Sequence, residues 1–445
     1  MPRNTLRAVL VAILLGSTTV EAARNARPLA DRQPSDVASI WFDQLYQVIR
    51  SEGTAPPPAS RIYGVAAVAL YEAVVPGSSS NLSLVGQLNG LSGVPEPERH
   101  RYYHWPAVAN TALARTIRGI FVSLTPASRA AVDALEARFN EDFQAQLGPA
   151  QLARSVEQGA AVADAILAWA TGDGFASLNN CPYAPAPVDG AWKPTPPGLV
   201  ANPVQPCWGQ LRPMVLVDGS ACAPAGHPAF STDPASEFAT AAREVHDVGL
   251  GLTEDQKTIA TFWADNSGAT GTPPGHWIAI VGQLARDRRL SLMTAAEAYT
   301  RVGIAVTDAF IACWSTKFAT NLQRPVTYIV ERIDATWLPY LTTPAFPTYT
   351  SGHSMQSGAA ATTLTDLFGR RRFTDTIRAD FQLEPPLRPR RFASFAAAAA
   401  EAAVSRLYGG IHYRFDNVDG LAAGECVGAT INREVRFRGR RNGSK

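Results

Sequence analysis

Apolar residues recur at helical spacing through most of the chain. Val37, Ile40, Trp41, Leu45, Val48 and Ile49 fall along one side of a helix. Residues 60–75 continue as an Ala/Val-rich helix that stops at Pro76-Gly77. The spacing predicts further helices at about 106–123, 127–147 and 150–171, and again at about 235–249, 353–368, 394–408 and 416–433. One more helix is predicted from Thr253, where Gln256 has capping-box spacing, and a long one from Thr294, with Glu297 three residues on, to about Phe318. In the 416–433 stretch Gly420, Gly424 and Gly428 recur every four residues, so one side of that helix is bare and open to close approach. No alternating β pattern and no short repeat appears. The predicted fold class is all-α.

The rhythm fails over residues 181–235, which hold 12 of the 33 prolines. Such a long irregular stretch inside a compact chain is expected to be functional or to wrap the surface. It is read as a Pro-rich connection between an N-terminal helical region (23–180) and a C-terminal helical region (236–440). Residues 1–22 read as a signal peptide: Arg3 and Arg7 start it, Ala8 to Gly16 is too short an apolar run to span a bilayer, and Val20-Glu21-Ala22 offers a small-x-small cleavage site. The expectation is an exported protein, periplasmic or secreted, with no membrane span in the mature chain. An oxidising compartment suits the five cysteines. Cys181, Cys207 and Cys222 share the Pro-rich region, where two of them could pair, though the sequence does not say whether any does; Cys313 and Cys426 lie in apolar helical patterns and read as buried thiols.

Composition narrows the function. Hydrophobic residues at 46% and charged residues at 18% describe a globular chain, and 40 Lys+Arg against 38 Asp+Glu leave a net charge of +2. That balance speaks against a nucleic-acid partner. Only four of the basic residues are lysine, Lys193, Lys257, Lys317 and Lys445.

Three separated segments carry candidate chemistry. Lys317 is followed by Arg324-Pro325, seven residues on, so the two cations would share a helix face if the helix continued. Phe346 to Ser354 reads FPTYTSGHS before an Ala-rich helix. Ser351, Gly352 and His353 then sit at a helix start, where free N–H groups and the dipole favour an anion. Ser405-Arg406 leads to His412 and Asp416, four apart, as a carboxylate orienting an imidazole would be. Taken singly these are a solvated face, a Ser N-cap and a surface pair. Together they supply three cations, fixed N–H donors and two histidines, which is what a tetrahedral oxyanion needs.

The joint pattern resembles the signature shared by vanadium-dependent haloperoxidases and type 2 phosphatidic acid phosphatases: KX6RP, PSGH and SRX5HX3D. Thr350 replaces the proline of PSGH. Trp314 and Phe346 resemble the aromatic residues lining the haloperoxidase pocket. The stretches 192–197, 273–277 and 409–413 are similar to bacterial haloperoxidase-type proteins, which extends the resemblance to about residues 35–435.

The resemblance implies a helical-bundle catalytic domain within 236–440. It implies His412 as the ligand of vanadium in a vanadate cofactor, with Asp416 orienting its ring. Lys317, Arg324, Ser351, Gly352 and Arg406 would hold the vanadate oxygens. His353 would be the acid–base group, and Lys317 would also polarise hydrogen peroxide for attack by halide. In the phosphatase alternative no vanadate is needed: His412 attacks phosphorus to form a phosphohistidine, and His353 protonates the leaving alcohol. A non-enzymatic oxyanion binder is the third alternative. Length, the expected export, the helical N-terminal half and the two aromatics favour the haloperoxidase. The halide, the organic acceptor and the oligomeric state are not legible. Asp308 and Asp247 are candidate partners of the site arginines or else solvated helix charges. His276 reads as structural, with a pocket-rim role as the lesser reading; His227 reads as exposed and His246 as a packing or surface residue.

Overall fold

The computed structural model describes residues 29–439 except 180, 186 and 187. The expected signal peptide lies outside the described residues, as do Arg440 and Arg441 near the C-terminus.

The N-terminal part holds α1 (Asp36–Ser51), α2 (Pro56–Val74), α3 (Trp105–Ile120), α4 (Pro126–Gln144), α5 (Pro149–Thr171) and the single turn α6 (Phe175–Leu178). After the Pro-rich stretch come α7 (Glu237–Leu250), α8 (Glu254–Phe262), α9 (Thr272–Asp287), α10 (Leu292–Thr320), α11 (Pro325–Arg332) and α12 (Gly352–Phe368). A short antiparallel pair, β1 (Phe373–Asp375) and β2 (Arg390–Phe392), encloses the turn α13 (Ile377–Asp380), with Phe373 opposite Phe392. The chain closes with α14 (Phe395–Tyr408) and α15 (Arg414–Glu434). The architecture is all-α, as the sequence predicted.

Helix α10 is the axis of the molecule. It is long and apolar enough by composition to cross a membrane, yet 83% of its most apolar window is buried within the protein. It packs on α2 from the N-terminal part and on α12 from the C-terminal part, so one continuous core spans both sides of the Pro-rich stretch. Its contact with α2 is close because Gly64 and Gly303 face each other: a Cβ on Gly303 would lie 3.1 Å from the Gly64 Cα.

The glycine row of α15 does what its spacing predicted. A Cβ on Gly424 would stand 2.0 Å from the Met355 carbonyl oxygen and one on Gly428 2.7 Å from that of Ala359. Only bare backbone lets α15 lie this close to α12, and the contact fixes the start of α12 beside the start of α15.

Of the two helix starts with capping-box spacing, one differs from expectation. The Thr253–Gln256 capping box is present. The long helix instead begins after Ser291, whose hydroxyl accepts from Thr294 N–H. Glu297 does not cap; it is buried and binds Arg301 and Arg438.

The Pro-rich stretch, with one 3-10 turn at Trp208–Gln210, is pinned to the helices it crosses. The buried Asp308 carboxylate accepts the N–H groups of Met214, Val215 and Leu216 at 2.7–2.9 Å. Asp308 is therefore neither a solvated charge nor an arginine partner. Cys181 pairs with Cys207, one of the pairings left open among the Pro-rich cysteines. Cys222 pairs with Cys426, which corrects the reading of Cys426 as a free thiol. An apolar helical pattern marks burial but says nothing of what the buried sulfur meets. Cys313 is the free buried thiol.

Candidate active site

The three sequence segments converge at the C-terminal end of α10. Lys317 lies in the last turn, buried. The helix ends three residues later at Thr320, and its C-cap Asn321 takes a left-handed conformation with φ of 49°. The expected shared helix face for Lys317 and Arg324 is therefore absent: Arg324 is the N-cap of α11, and Pro325 starts that helix instead of ending one. The two cations converge by another route. The Phe346 ring sits 5.2 Å from Lys317 Nζ and 4.8 Å from the Arg324 guanidinium carbon. Lys317 Nζ donates to the carbonyls of Pro347 and Thr348 at 2.9 and 2.8 Å, and Arg324 Nε donates to that of Phe346 at 2.8 Å. The 346–350 loop is thus folded around the two cations.

Ser351 ends that loop and caps α12, accepting from Ser354 N–H at 3.3 Å. Gly352 and His353 form the first turn. A Cβ at Gly352 would meet the Trp314 ring at 3.5 Å, an ordinary contact, so protein packing does not demand glycine there. Thr350 turns away, its hydroxyl 3.7 Å from Cys313 Sγ.

His412 lies in the tight connection between α14 and α15, after Gly410 at φ of 73°. Its Nδ1 is 2.8 Å from Asp416 Oδ2, and its Nε2 is 3.0 Å from Arg324 Nη1. Burial, then the charges of Arg324, Lys317 and Arg406, hold the ring well below the usual imidazole range. The ring is neutral, Nδ1–H donates to Asp416, and Nε2 carries a lone pair. That is the form a metal ligand or nucleophile requires. Asp416 Oδ2 also accepts from the Tyr413 N–H at 3.1 Å and from the Thr348 hydroxyl. Thr348 was not singled out from the sequence. Its only signal was a hydroxyl inside the loop already marked.

A cavity of about 190 Å³ opens over these groups. Gly352, His353, Arg406 and His412 form its polar side, and Phe310, Trp314, Leu341, Phe346 and Ile411 its apolar side. Trp314 is oriented by the Pro-rich stretch: its indole N–H donates to the Val204 carbonyl at 3.1 Å. A third wall, Ala264 to Ser267, belongs to no sequence motif. Asp247 stays outside the site and pairs with His246 at 2.8 Å. His227, read as exposed, is part-buried and packs on Tyr349, with centroids 5.0 Å apart.

Positive charge is in excess around His412, on which Arg324, Lys317 and Arg406 all act. Lys317, Arg324 and Arg406 are all buried. Burial pushes Arg324 and Arg406 each down to about 10, with Asp416 opposing the shift at Arg324 and Asp265 at Arg406. Burial likewise drives Lys317 downward and Asp416 upward. Arg324 Nη2 and His353 Nε2 have no partner among the described residues. Buried donors left open beside uncompensated cations are a site for an anion.

The fold as a whole matches that of a bacterial vanadium-dependent iodoperoxidase, with a TM-score of 0.84 and 33% sequence identity over 92% of this chain and 98% of that one. The chain belongs to the vanadium-dependent haloperoxidase family. The family model for the second helical-bundle domain of vanadium chloroperoxidase matches residues 330–438. A vanadium-dependent bromoperoxidase of Ascophyllum nodosum is 30% identical over 171 residues, 36% of this chain and 27% of that protein. This chain therefore covers about a quarter of that relative's length. Bacterial vanadium-dependent chloroperoxidase in its holo form shares the fold at a TM-score of 0.64 and 17% identity, over 87% of this chain and 95% of that one.

A vanadate cofactor suits this haloperoxidase's own donor set. His353 with its unpartnered Nε2, Gly352 at the open helix start and His412 all border one small cavity, and the other unpartnered nitrogen, Arg324 Nη2, belongs to the guanidinium whose Nη1 lies 3.0 Å from His412 Nε2. A trivalent or divalent metal cation would be repelled by the same three cations. An oxyanion is the species these residues fit.

Proposed function

We propose that the protein is a vanadate-dependent haloperoxidase that oxidises halide with hydrogen peroxide. The observation that carries this reading is the buried, unpaired positive charge at a neutral imidazole lone pair. Bound vanadate would act there as a Lewis acid that activates peroxide towards halide.

The chain's own residues divide the remaining work. His412 Nε2 would hold the vanadium, with the ring fixed by Asp416 and Thr348. Lys317, Arg324, Arg406, Ser351 and the Gly352 N–H would hold the oxygens by charge-assisted hydrogen bonds. His353 has burial and Arg406 acting against its protonation, which makes it a proton acceptor. An anion beside it would favour the protonated form and let the same ring return the proton. Trp314, Phe346 and Phe310 present an apolar wall that keeps bulk water from the reacting oxygen. The name of the 33%-identical relative makes iodide the halide to test before the others. Export, with action outside the cytoplasm, belongs to the same proposal and rests on residues 1–22.

The test uses apoprotein titrated with orthovanadate. Peroxide-dependent triiodide formation is expected to rise with vanadate occupancy. His412→Ala is expected to abolish vanadate retention, while His353→Ala retains it and keeps only a residual, measurable turnover. Retention of vanadate by His412→Ala at wild-type affinity overturns the ligand assignment.

A further inference from the structure

His276 is buried at the start of α9 between two carboxylates. Its Nδ1 is 2.8 Å from Asp265 Oδ2 and its Nε2 2.8 Å from Asp375 Oδ2. All three side chains are at most 3% exposed. The Trp263 ring lies flat on the imidazole, with centroids 4.5 Å apart and planes 24° from parallel. Asp375 is itself fixed, its Oδ1 accepting from the Ile377 N–H at 3.0 Å. This reaches from β1 to the 263–267 wall, and none of it belongs to the signature motifs.

The wall it grips touches two site residues. The carbonyls of Trp263 and Ala264 face His353 and favour its protonated form. The Asp265 charge acts on Arg406, whose Nη2 donates at 3.0 Å to the carbonyl of Ala260 in α8, the helix that leads into this wall. Asp265 lines the cavity, and its Oδ1 has no partner among the described residues. Its backbone sits at φ of 44°, which a non-glycine residue holds only when its surroundings compel it. The side-chain contact that this backbone presents is the one to His276 Nδ1 at 2.8 Å.

We propose that His276, clamped between Asp265 and Asp375, is a positioning residue that sets the 263–265 wall and through it the orientation of His353. Asp375 touches nothing in the cavity, so its effect on the site must pass through His276. This rests on the haloperoxidase reading for its kinetic arm, but not for its spectroscopic arm.

The experiment compares the full-length protein with Asp375→Asn. Asparagine keeps the acceptor for Ile377 and can donate to a neutral His276, so the fold has a replacement bond. With vanadate loaded, kcat for iodide oxidation is expected to fall about tenfold, the scale of a displaced general acid–base group, while the iodide KM changes less than about twofold. In the His353→Ala background the same substitution is expected to cost nothing further, because coupled residues are non-additive. In apoprotein carrying ring-labelled histidine, the His353 resonances are expected to move. A folded Asp375→Asn variant with wild-type kcat and unmoved His353 resonances overturns the proposal, as do losses that multiply with His353→Ala. If Asp375→Asn fails to fold, His276→Gln, which likewise lines no part of the cavity, takes its place with the same expected and contrary outcomes. If the wild type oxidises no halide at all, the functional reading falls and the ring spectra alone decide this one.

Discussion

Thr348→Val isolates the support of His412, the proposed vanadium ligand. The hydroxyl is one of three donors to Asp416 Oδ2, the others being His412 Nδ1–H and Tyr413 N–H. Valine keeps the shape and removes the donor. A hydrogen bond to a charged group contributes about 1.5–3 kcal/mol. Asp416 keeps two donors, so the lower end applies, and orthovanadate affinity should fall about tenfold, the mild end of what such supporting partners cost. The loss should grow as pH falls. Burial already raises the Asp416 carboxyl and the Thr348 bond lowers it, so removing that bond eases protonation. A protonated Asp416 no longer draws the proton to Nδ1 with full charge. The assay is calorimetric titration of apoprotein with orthovanadate at several pH values, with Thr348→Ser restoring affinity to within about threefold. Wild-type affinity in the valine variant refutes the reasoning, and so does a serine variant as weak as valine.

Gly424→Ala should destabilise by about 1–3 kcal/mol despite alanine's better helix propensity, because its Cβ meets the Met355 carbonyl; a thermal melt checks this. Replacing both Cys222 and Cys426 by serine should cost about 2–4 kcal/mol, read from denaturant unfolding without reductant, since the bond closes a loop with a sequence separation of 204. Burial disfavours charge on His276, but Asp265 and Asp375 override it and raise the ring to about 10. The resulting stabilisation is complete below the ordinary imidazole pKa of about 6.5 and fades as pH climbs towards 10. The melting temperature of the wild type should therefore drop across that window more than that of His276→Gln, and parallel curves would contradict the assignment.

The helical class and the glycine row of α15 were legible because both follow from local spacing. The site was legible as a joint motif: Lys317, Arg324, Ser351, Gly352, His353, Arg406, His412 and Asp416 are brought into one region. The geometry joining them was not. Lys317 and Arg324 meet across Phe346 and not along a helix, because Asn321 takes a left-handed turn that the sequence pattern does not announce. Cys426 and Asp308 were misread for a common reason. Each has its partner in the aperiodic Pro-rich stretch, more than 90 residues away. The 263–267 wall escaped notice because its role depends on His276 and Asp375, which only the folded chain brings to it.

The most direct test places both chemistries of this site in competition on one preparation. Apoprotein and vanadate-loaded protein are each assayed for peroxide-dependent iodide oxidation and for p-nitrophenyl phosphate hydrolysis at mildly acidic pH. The account predicts iodide oxidation that appears only with vanadate and is lost in His412→Ala. Phosphate ester turnover by the apoprotein, with no halide oxidation after vanadate loading, would contradict it.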